Sequence, residues 1–331
     1  MAVVLLIVGF AAVLAGALLF TNAVEWAGSR LGLGVGAVGT LLAGVSTALP
    51  ESAIPIVALI RDDPAADEVA IGAIVGAPFM LATVALALVG ITALAYRRRR
   101  EHGTSLDTHR PTVRRDLLVF VAAFGVAMVL GLGVPRATLL IAAVALAVGY
   151  VAYVVATVRR GGAVQAEDEI EPLTVDPTKH NPPTGLAIGL QLVGGLACIV
   201  LGAHLVVGEL IAIAEALDVS PLVLALLIAP LATELPEKTN SFLWIRDGKD
   251  ALALGNITGA MVFQATIPVA IGLGFTTWRL DRFALLAGSI AVAGGLVAYW
   301  SLSRRRRFAV PAIAAWLGLF ATFAAGAWLL Q

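Results

Sequence analysis

The sequence predicts an all-α polytopic membrane protein, with ten transmembrane helices arranged as two inverted five-helix repeats. Three observations carry this prediction. Hydrophobic residues make up 60% of the chain and charged residues 13%, and the mean hydropathy is +0.94, whereas soluble domains carry about a quarter charged residues. Apolar runs recur at about 20 residues or more, the length that crosses roughly 30 Å of hydrocarbon. Finally, short words repeat in the same order in the two halves. Five spans per half is an odd number, so the second copy must lie inverted.

The spans run over 2–22, 33–60, 68–95, 116–134, 137–158, 185–214, 220–245, 250–276, 282–301 and 309–330. The first has no basic segment ahead of it and continues to span length, which predicts a retained helix rather than a removed leader. The second, third, seventh and eighth hold the repeated words. The longest polar interruption, 159–184, carries Arg159, Arg160, Glu167, Asp168, Glu169 and Glu171 with several prolines. It divides the chain into a first repeat at 1–158, a linker at 159–184 and a second repeat at 185–331. The abundance of Gly and Ala suits close packing of membrane helices. Cys198 is the single cysteine, which excludes an internal disulfide or a thiolate cluster.

Charge sets the expected orientation. Seventeen of the 22 Lys and Arg fall in the loops after spans one, three, five, seven and nine, including Arg97–Arg100 and Arg304–Arg307. By the positive-inside rule these loops, and the 159–184 linker with them, face the cytoplasm, with both termini outside. The expected location is a bacterial-type plasma membrane. The Arg clusters are explained as cytoplasmic anchors, with anionic lipid as a secondary ligand.

The repeated words carry the chemistry. Thr47-Ala48-Leu49-Pro50-Glu51 recurs as Thr233-Glu234-Leu235-Pro236-Glu237, Ile60-Arg61-Asp62 as Ile245-Arg246-Asp247, and Gly72-Ala-Ile-Val-Gly76-Ala77 as Gly255-Asn-Ile-Thr-Gly259-Ala260. A carboxylate near the centre of a bilayer helix costs at least about 2.5–3.5 kcal/mol. Pro50 and Pro236 each remove a backbone hydrogen bond beside such an acid, which kinks or breaks the helix and frees carbonyls to face a cation. Two inverted copies would bring Glu51 and Glu237 towards a common centre, with Thr47 and Thr233 one helical turn away on the same face. Carboxylate with hydroxyl or carbonyl oxygen suits an alkali or alkaline-earth cation.

Around this pair, Glu234 either joins the ligands or pairs with Lys238, four residues on; Lys238 is also a candidate tethered cation. Asn256 and Gln264 offer neutral oxygens from span eight. Gly72, Gly76, Gly255 and Gly259 would let spans three and eight approach closely, or serve ordinary small-residue packing. Ser46 and Ser241 read as packing hydroxyls, and Glu25, Glu209 and Glu215 as peripheral acids. His204 reads as a packed histidine or a proton relay. No His-Glu-x-x-His, no paired intramembrane aspartates and no Ser–His arrangement is present, so no enzyme activity is expected.

On these residues the chain resembles the calcium/cation antiporter superfamily, the sodium/calcium exchanger-like membrane proteins. That resemblance rests on Ser46–Glu51 and Ala232–Glu237, which stand where the family has a Gly-Thr-Ser-Leu-Pro-Glu type motif. It rests also on Gly72–Ala77 and Gly255–Ala260, where the family has Gly-Asn-x-x-Gly-Ser-Asn. It implies an alternating-access antiporter with a midplane cation site on Glu51 and Glu237, helped by Thr47 and Thr233. The substrates implied are Na⁺ or Ca²⁺ exchanged against H⁺ or Na⁺, with no cofactor and no nucleic-acid partner beyond the bilayer and inorganic cations. The chain departs from the family at Ala73, Ala77, Leu81, Ala260, Gln264, Glu234 and Lys238. The first repeat therefore offers few of the six to eight oxygens that Ca²⁺ takes. The alternative expectation is a non-transporting cation sensor or scaffold on the same fold.

Overall fold

The computed structural model describes residues 1–30, 50–61, 63–108, 110–159, 171–175, 182–305 and 307–329. Among them regular structure is wholly helical: α1 (Ala2–Arg30), α2 (Pro50–Ile60), α3 (Pro64–Ala95), α4 (Arg110–Leu130), α5 (Arg136–Arg159), α6 (Gly185–Leu217), α7 (Pro221–Arg246), α8 (Asp250–Phe275), α9 (Arg282–Arg305) and α10 (Val310–Leu329). Seven of these, namely α1, α3, α5, α6, α8, α9 and α10, are long and apolar enough to cross a membrane. The other three fall short of that measure for local reasons. The described part of α2 is short, α4 opens with Arg110, Arg114, Arg115 and Asp116, and α7 carries Glu234, Glu237 and Lys238 in its second half.

Helix starts follow from sequence chemistry. Asp63 caps α3 by accepting from the Ala65 amide at 2.9 Å, and Ser220 caps α7 by accepting from Leu222 at 3.2 Å. Each is followed by a proline, whose missing N–H costs nothing in the first turn. Thr184 caps α6 through the Ala187 amide at 3.2 Å. At the far end of α6, Asp218 adopts φ 54°, a left-handed stop.

Several helix pairings recur when the halves are exchanged. α4 packs on α8 as α9 packs on α3; α5 packs on α8 as α10 packs on α3; α1 packs on α6, and α4 on α9. The α1–α6 crossing displays the same symmetry in its glycines. A Cβ on Gly16 would meet the Gly195 carbonyl at 2.7 Å, and one on Gly202 would meet the Gly9 carbonyl at 2.7 Å. Gly9 and Gly195 are 186 residues apart, as are Gly16 and Gly202 and the two Pro-Glu pairs. The backbones therefore touch at two equivalent points related by a local two-fold axis.

Both α3 and α8 are irregular, and at the same place. α3 contains a π-helical turn at Leu81–Ala85. α8 is interrupted after Gln264, at Ala265–Thr266, and resumes at Ile267. Pro268 has no N–H to give the Gln264 carbonyl, which explains the second irregularity. Leu81 and Gln264 occupy equivalent positions by the 183-residue offset that relates Gly72 to Gly255 and Gly76 to Gly259.

Arginines from the first half hold α8 at both ends. At its first turn, Arg100 grips Asp250 with both guanidinium nitrogens at 2.8 Å, and also donates to the Ser105, Gly103 and Ile245 carbonyls. At the other end Arg136 donates to the carbonyls of Leu273, Gly274 and Thr276, groups that a helix C-terminus leaves unpaired. Trp278, fully buried with φ 44°, closes the same end and donates its indole N–H to the Ala127 carbonyl at 2.9 Å.

The linker is more than a tether. Residues 171–175 lie across α1 and α6, where the Glu171 carbonyl accepts from Asn22 and Trp26 and the Val175 amide donates to Gln191. Leu173 is buried with Ala23, Trp26 and Ile188. The remainder of 160–181 lies outside the described residues.

The glycine pairs differ from expectation. Gly72 and Gly76 bring α3 against α7, not α8: a Cβ on Gly72 would run into the Leu222 carbonyl, and one on Gly76 into that of Leu226. Leu226 is the residue whose carbonyl Pro230 leaves without its helical donor. At Gly255 and Gly259 an added Cβ would meet no heavy atom of another helix within 4 Å among the described residues. Gly76→Leu should therefore yield a protein that aggregates or loses its sharp thermal transition in detergent. Size-exclusion profiles and thermal unfolding of this variant beside wild type check this, and equal behaviour would refute it.

Candidate functional site: a polar seam between two apolar helices

The seam is built on α7. Thr233, Glu234, Lys238 and Ser241 are all buried, at 2%, 3%, 0% and 0% exposure, although most of the helix around them is apolar. Residues 234, 238 and 241 follow helical spacing and share one face. That face meets α8. Gln264 donates its amide to Glu234 Oε1 at 3.2 Å, and Asn256 donates to Ser241 Oγ at 2.9 Å. Lys238 Nζ lies 3.5 Å from Glu234 Oε2. The structure thus places Glu234 in an ion pair, with Gln264 holding its second oxygen. The Thr233 hydroxyl donates to the Ala229 carbonyl at 3.1 Å, which leaves its lone pairs as acceptors.

Across the seam, Glu51 is buried at 6% exposure in the first turn of described α2. Its neighbours on that helix, Ala53, Ile54 and Ala58, pack in one apolar cluster with Ala73 of α3 and Ala225 and Ala229 of α7. Thr47 and Ser46 lie outside the described residues, and so do the side chains of Leu235, Pro236 and Glu237. In backbone terms α7 passes through Pro230 and Pro236 as a continuous helix. Pro236, expected to kink or break the helix, removes a donor from the ladder without breaking it, because the flanking helical turns remain packed. Pro50 stands at the first described residue of α2.

α3 adds no oxygen at the departures noted in its motif. Ala73, Ala77 and Leu81 are buried among apolar residues. Among the described residues, the neutral donors and acceptors of the seam therefore come from the second half of the chain. Among the described residues, no group of three or more His, Cys, Asp and Glu is gathered closely enough to hold a metal ion.

The peripheral residues fall elsewhere. His204 is exposed on α6, and its Nε2 accepts from the Arg61 guanidinium at 3.1 Å, away from the seam. Glu25 and Glu209 are half-buried and Glu215 is exposed.

Two buried acids escaped the sequence reading: Asp250 at the first turn of α8, 1% exposed and held by Arg100, and Asp116. Asp116, 3% exposed on α4, accepts from the Tyr153 hydroxyl of α5 at 2.8 Å and the Thr258 hydroxyl of α8 at 3.0 Å, and pairs with Arg115 at 3.1 Å. The guanidinium of Arg115 sits over the Tyr153 ring, 4.8 Å from its centre. A groove of about 340 Å³ beside this cluster runs between α4, α5 and α8, lined by Val119, Ala123, Leu146 and Thr266 among others. The available signal was a carboxylate at the first residue of span four, directly after two arginines. Asp116 joins three helices, on a different side of α8 from Gln264. Asp116→Ala should lower stability by about 1–3 kcal/mol, since it strands two hydroxyls and a guanidinium. Thermal unfolding in detergent reads this, and an unchanged transition would contradict the pinning role.

The sodium/calcium exchanger protein family matches residues 1–159 and 188–329. A curated relative, "Putative antiporter CaxA" of Alkalimonas amylolytica, is 30% identical over 158 residues, 47% of this chain and 49% of that one; the match spans about half the length of each. Among solved structures, the H⁺/Ca²⁺ exchanger CAX superposes with TM-score 0.69 at 17% identity, over 100% of this chain and 82% of that one. Native YfkE gives 0.71 at 14% identity, over 99% and 93%. The sodium-calcium exchanger NCX_Mj gives 0.57 at 20% identity, over 98% and 97%. At these identities the structures establish the shared helical fold. The family match covers both halves of the chain and omits little but the linker, and the protein belongs to the sodium/calcium exchanger protein family of integral membrane proteins.

Proposed function

We propose that the protein is a secondary active cation antiporter working by alternating access, with a midplane site built on Glu51 and Glu237. The observation that carries this reading is the burial of Glu51 inside an apolar helix bundle, in a protein whose other half presents a buried acidic seam. An ionised carboxylate in such surroundings carries a desolvation cost of several kcal/mol unless a cation neutralises it. The loaded site can reorient between the two faces; the empty, ionised one cannot. Exchange is thereby made obligatory.

The cation is a small hard one, because the ligands on offer are carboxylate, amide and hydroxyl oxygens. The structural relatives are an H⁺/Ca²⁺ exchanger and a sodium-calcium exchanger, so H⁺ and Na⁺ are the driving ions to test first. Thr233, Asn256 and Gln264 complete the shell with neutral oxygens, and Thr47 supplies another from the first repeat. The basic loops place the 159–184 linker in the cytoplasm with both termini outside, in a bacterial-type plasma membrane. The two repeats, 1–158 and 185–331, rock against each other about the site.

A second reading, a cation sensor or scaffold that binds without transport, is favoured by the apolar lining that α3 brings to the seam. Flux separates the two. Purified protein in liposomes, given an imposed Na⁺ or H⁺ gradient, should exchange cations. The double variant Glu51→Gln, Glu237→Gln should lose at least about two orders of magnitude in rate, the loss that about 3 kcal/mol of charge stabilisation implies. Undiminished exchange in that variant would sink the site assignment, and binding without any flux in wild type would favour the sensor.

A further inference from the structure

Lys238 is the least expected residue in the seam. Its side chain is 0% exposed, inside a helix whose neighbours are largely apolar. Long basic side chains in membrane helices normally reach out to an interface. This one instead faces inward, with Nζ 3.5 Å from Glu234 Oε2 while Glu234 Oε1 takes the Gln264 amide at 3.2 Å. One carboxylate oxygen is thus met by a neutral donor, the other by a compact positive charge.

We infer that the Lys238 ammonium is a resident cation: it holds the place beside Glu234 that a small alkali ion would otherwise occupy, so the chain carries one exchangeable cation fewer than its acids alone would bind. This rests on the antiporter reading for its functional meaning, and on the seam geometry for its structural content.

Three features support it. First, the hydrogen bonds between α7 and α8 fix their register. Residue 234 faces 264 and residue 241 faces 256, so 238 falls opposite Ala260. Ala260 is a small buried residue that leaves room for the lysine stem. Second, the two charges lie four apart on one helix, with the acid on the N-terminal side, the favourable orientation for such a pair. Both ride on α7, so the ammonium cannot leave to either face as a free ion would. Third, the charge count closes. Glu51, Glu234 and Glu237 carry three formal negative charges and Lys238 one positive. The Glu234–Lys238 pair is neutral as a unit and adds nothing to the formal charge of Glu51 and Glu237. The added acid and the added base cancel, so the site keeps the charge of a simple pair of glutamates.

The test compares Lys238→Met with the double variant Glu234→Gln, Lys238→Met in detergent, reading Tm in sodium chloride against choline chloride at equal ionic strength. Sodium bound per chain is measured by equilibrium dialysis. Lys238→Met leaves Glu234 unbalanced, and sodium should replace the ammonium. Its Tm should rise with sodium by more than wild type does, and it should bind one additional sodium ion. The double variant, with the pair replaced by neutral groups of similar size, should return to the wild-type response and count. A Lys238→Met protein that folds in sodium but not in choline also supports the inference. It is overturned if Lys238→Met responds to sodium no more than wild type. It is equally overturned if the double variant keeps the extra response, or if either variant fails to fold even in sodium. These readouts need no flux, so they stand apart from the liposome experiment that decides the antiporter reading.

Discussion

A charge in the interior of a helix bundle must be matched within that bundle, and much of the architecture can be read as the consequence. With about 30 Å of hydrocarbon to cross, no buried ion can rely on water. Arg100 meets Asp250 with two bonds and spends its remaining donors on backbone carbonyls. Asp116 gathers a guanidinium and two hydroxyls. Glu234 holds Lys238 and Gln264. Each cluster joins elements distant in sequence, because a single helix face cannot supply enough partners. Matching charge and tying helices together are one operation here.

α8 shows how that works at larger scale. Its ends are gripped by Arg100 and Arg136 from the first half of the chain, and Asp116 reaches its middle at Thr258. Its interruption beside Gln264 then has fixed ends on both sides. A broken helix would otherwise expose unpaired backbone groups; here it can be held open next to the seam. α3 reaches a similar irregularity by a π-helical turn, but between buried apolar side chains. The two halves share a backbone plan and differ in chemistry.

Much of the plan was legible from residues alone. Run length and composition predicted a helical membrane protein, and the offset between Pro50-Glu51 and Pro236-Glu237 predicted inverted halves. The α1–α6 glycines repeat at that same offset and touch as a two-fold axis requires. Other features were not legible. Gly72 and Gly76 were expected to bring spans three and eight together, yet they seat the Leu222 and Leu226 carbonyls of α7, because spelling names a small face and not the helix that meets it. Asp116 drew no reading from the sequence, because nothing local says that α5 and α8 will converge on it. Pro236 was expected to kink or break its helix, and α7 runs through it without a break because packing on both sides outweighs one lost hydrogen bond.

Sequence by itself determined the quantities that are local or additive: hydropathy, span length, loop charge, the repeat offset, and the presence of acids too costly to be idle. These depend on the chain and the solvent, so no third dimension is needed to read them. Tertiary structure decided pairing. Glu234 stood equally as ligand or ion-pair partner on a helical wheel, since Lys238 is always four residues away. Only the approach of α8 shows that Gln264 takes one carboxylate oxygen while the ammonium stands 3.5 Å from the other. The direction and depth of a side chain within a bundle are set by its neighbours, and those come from the far half of the chain.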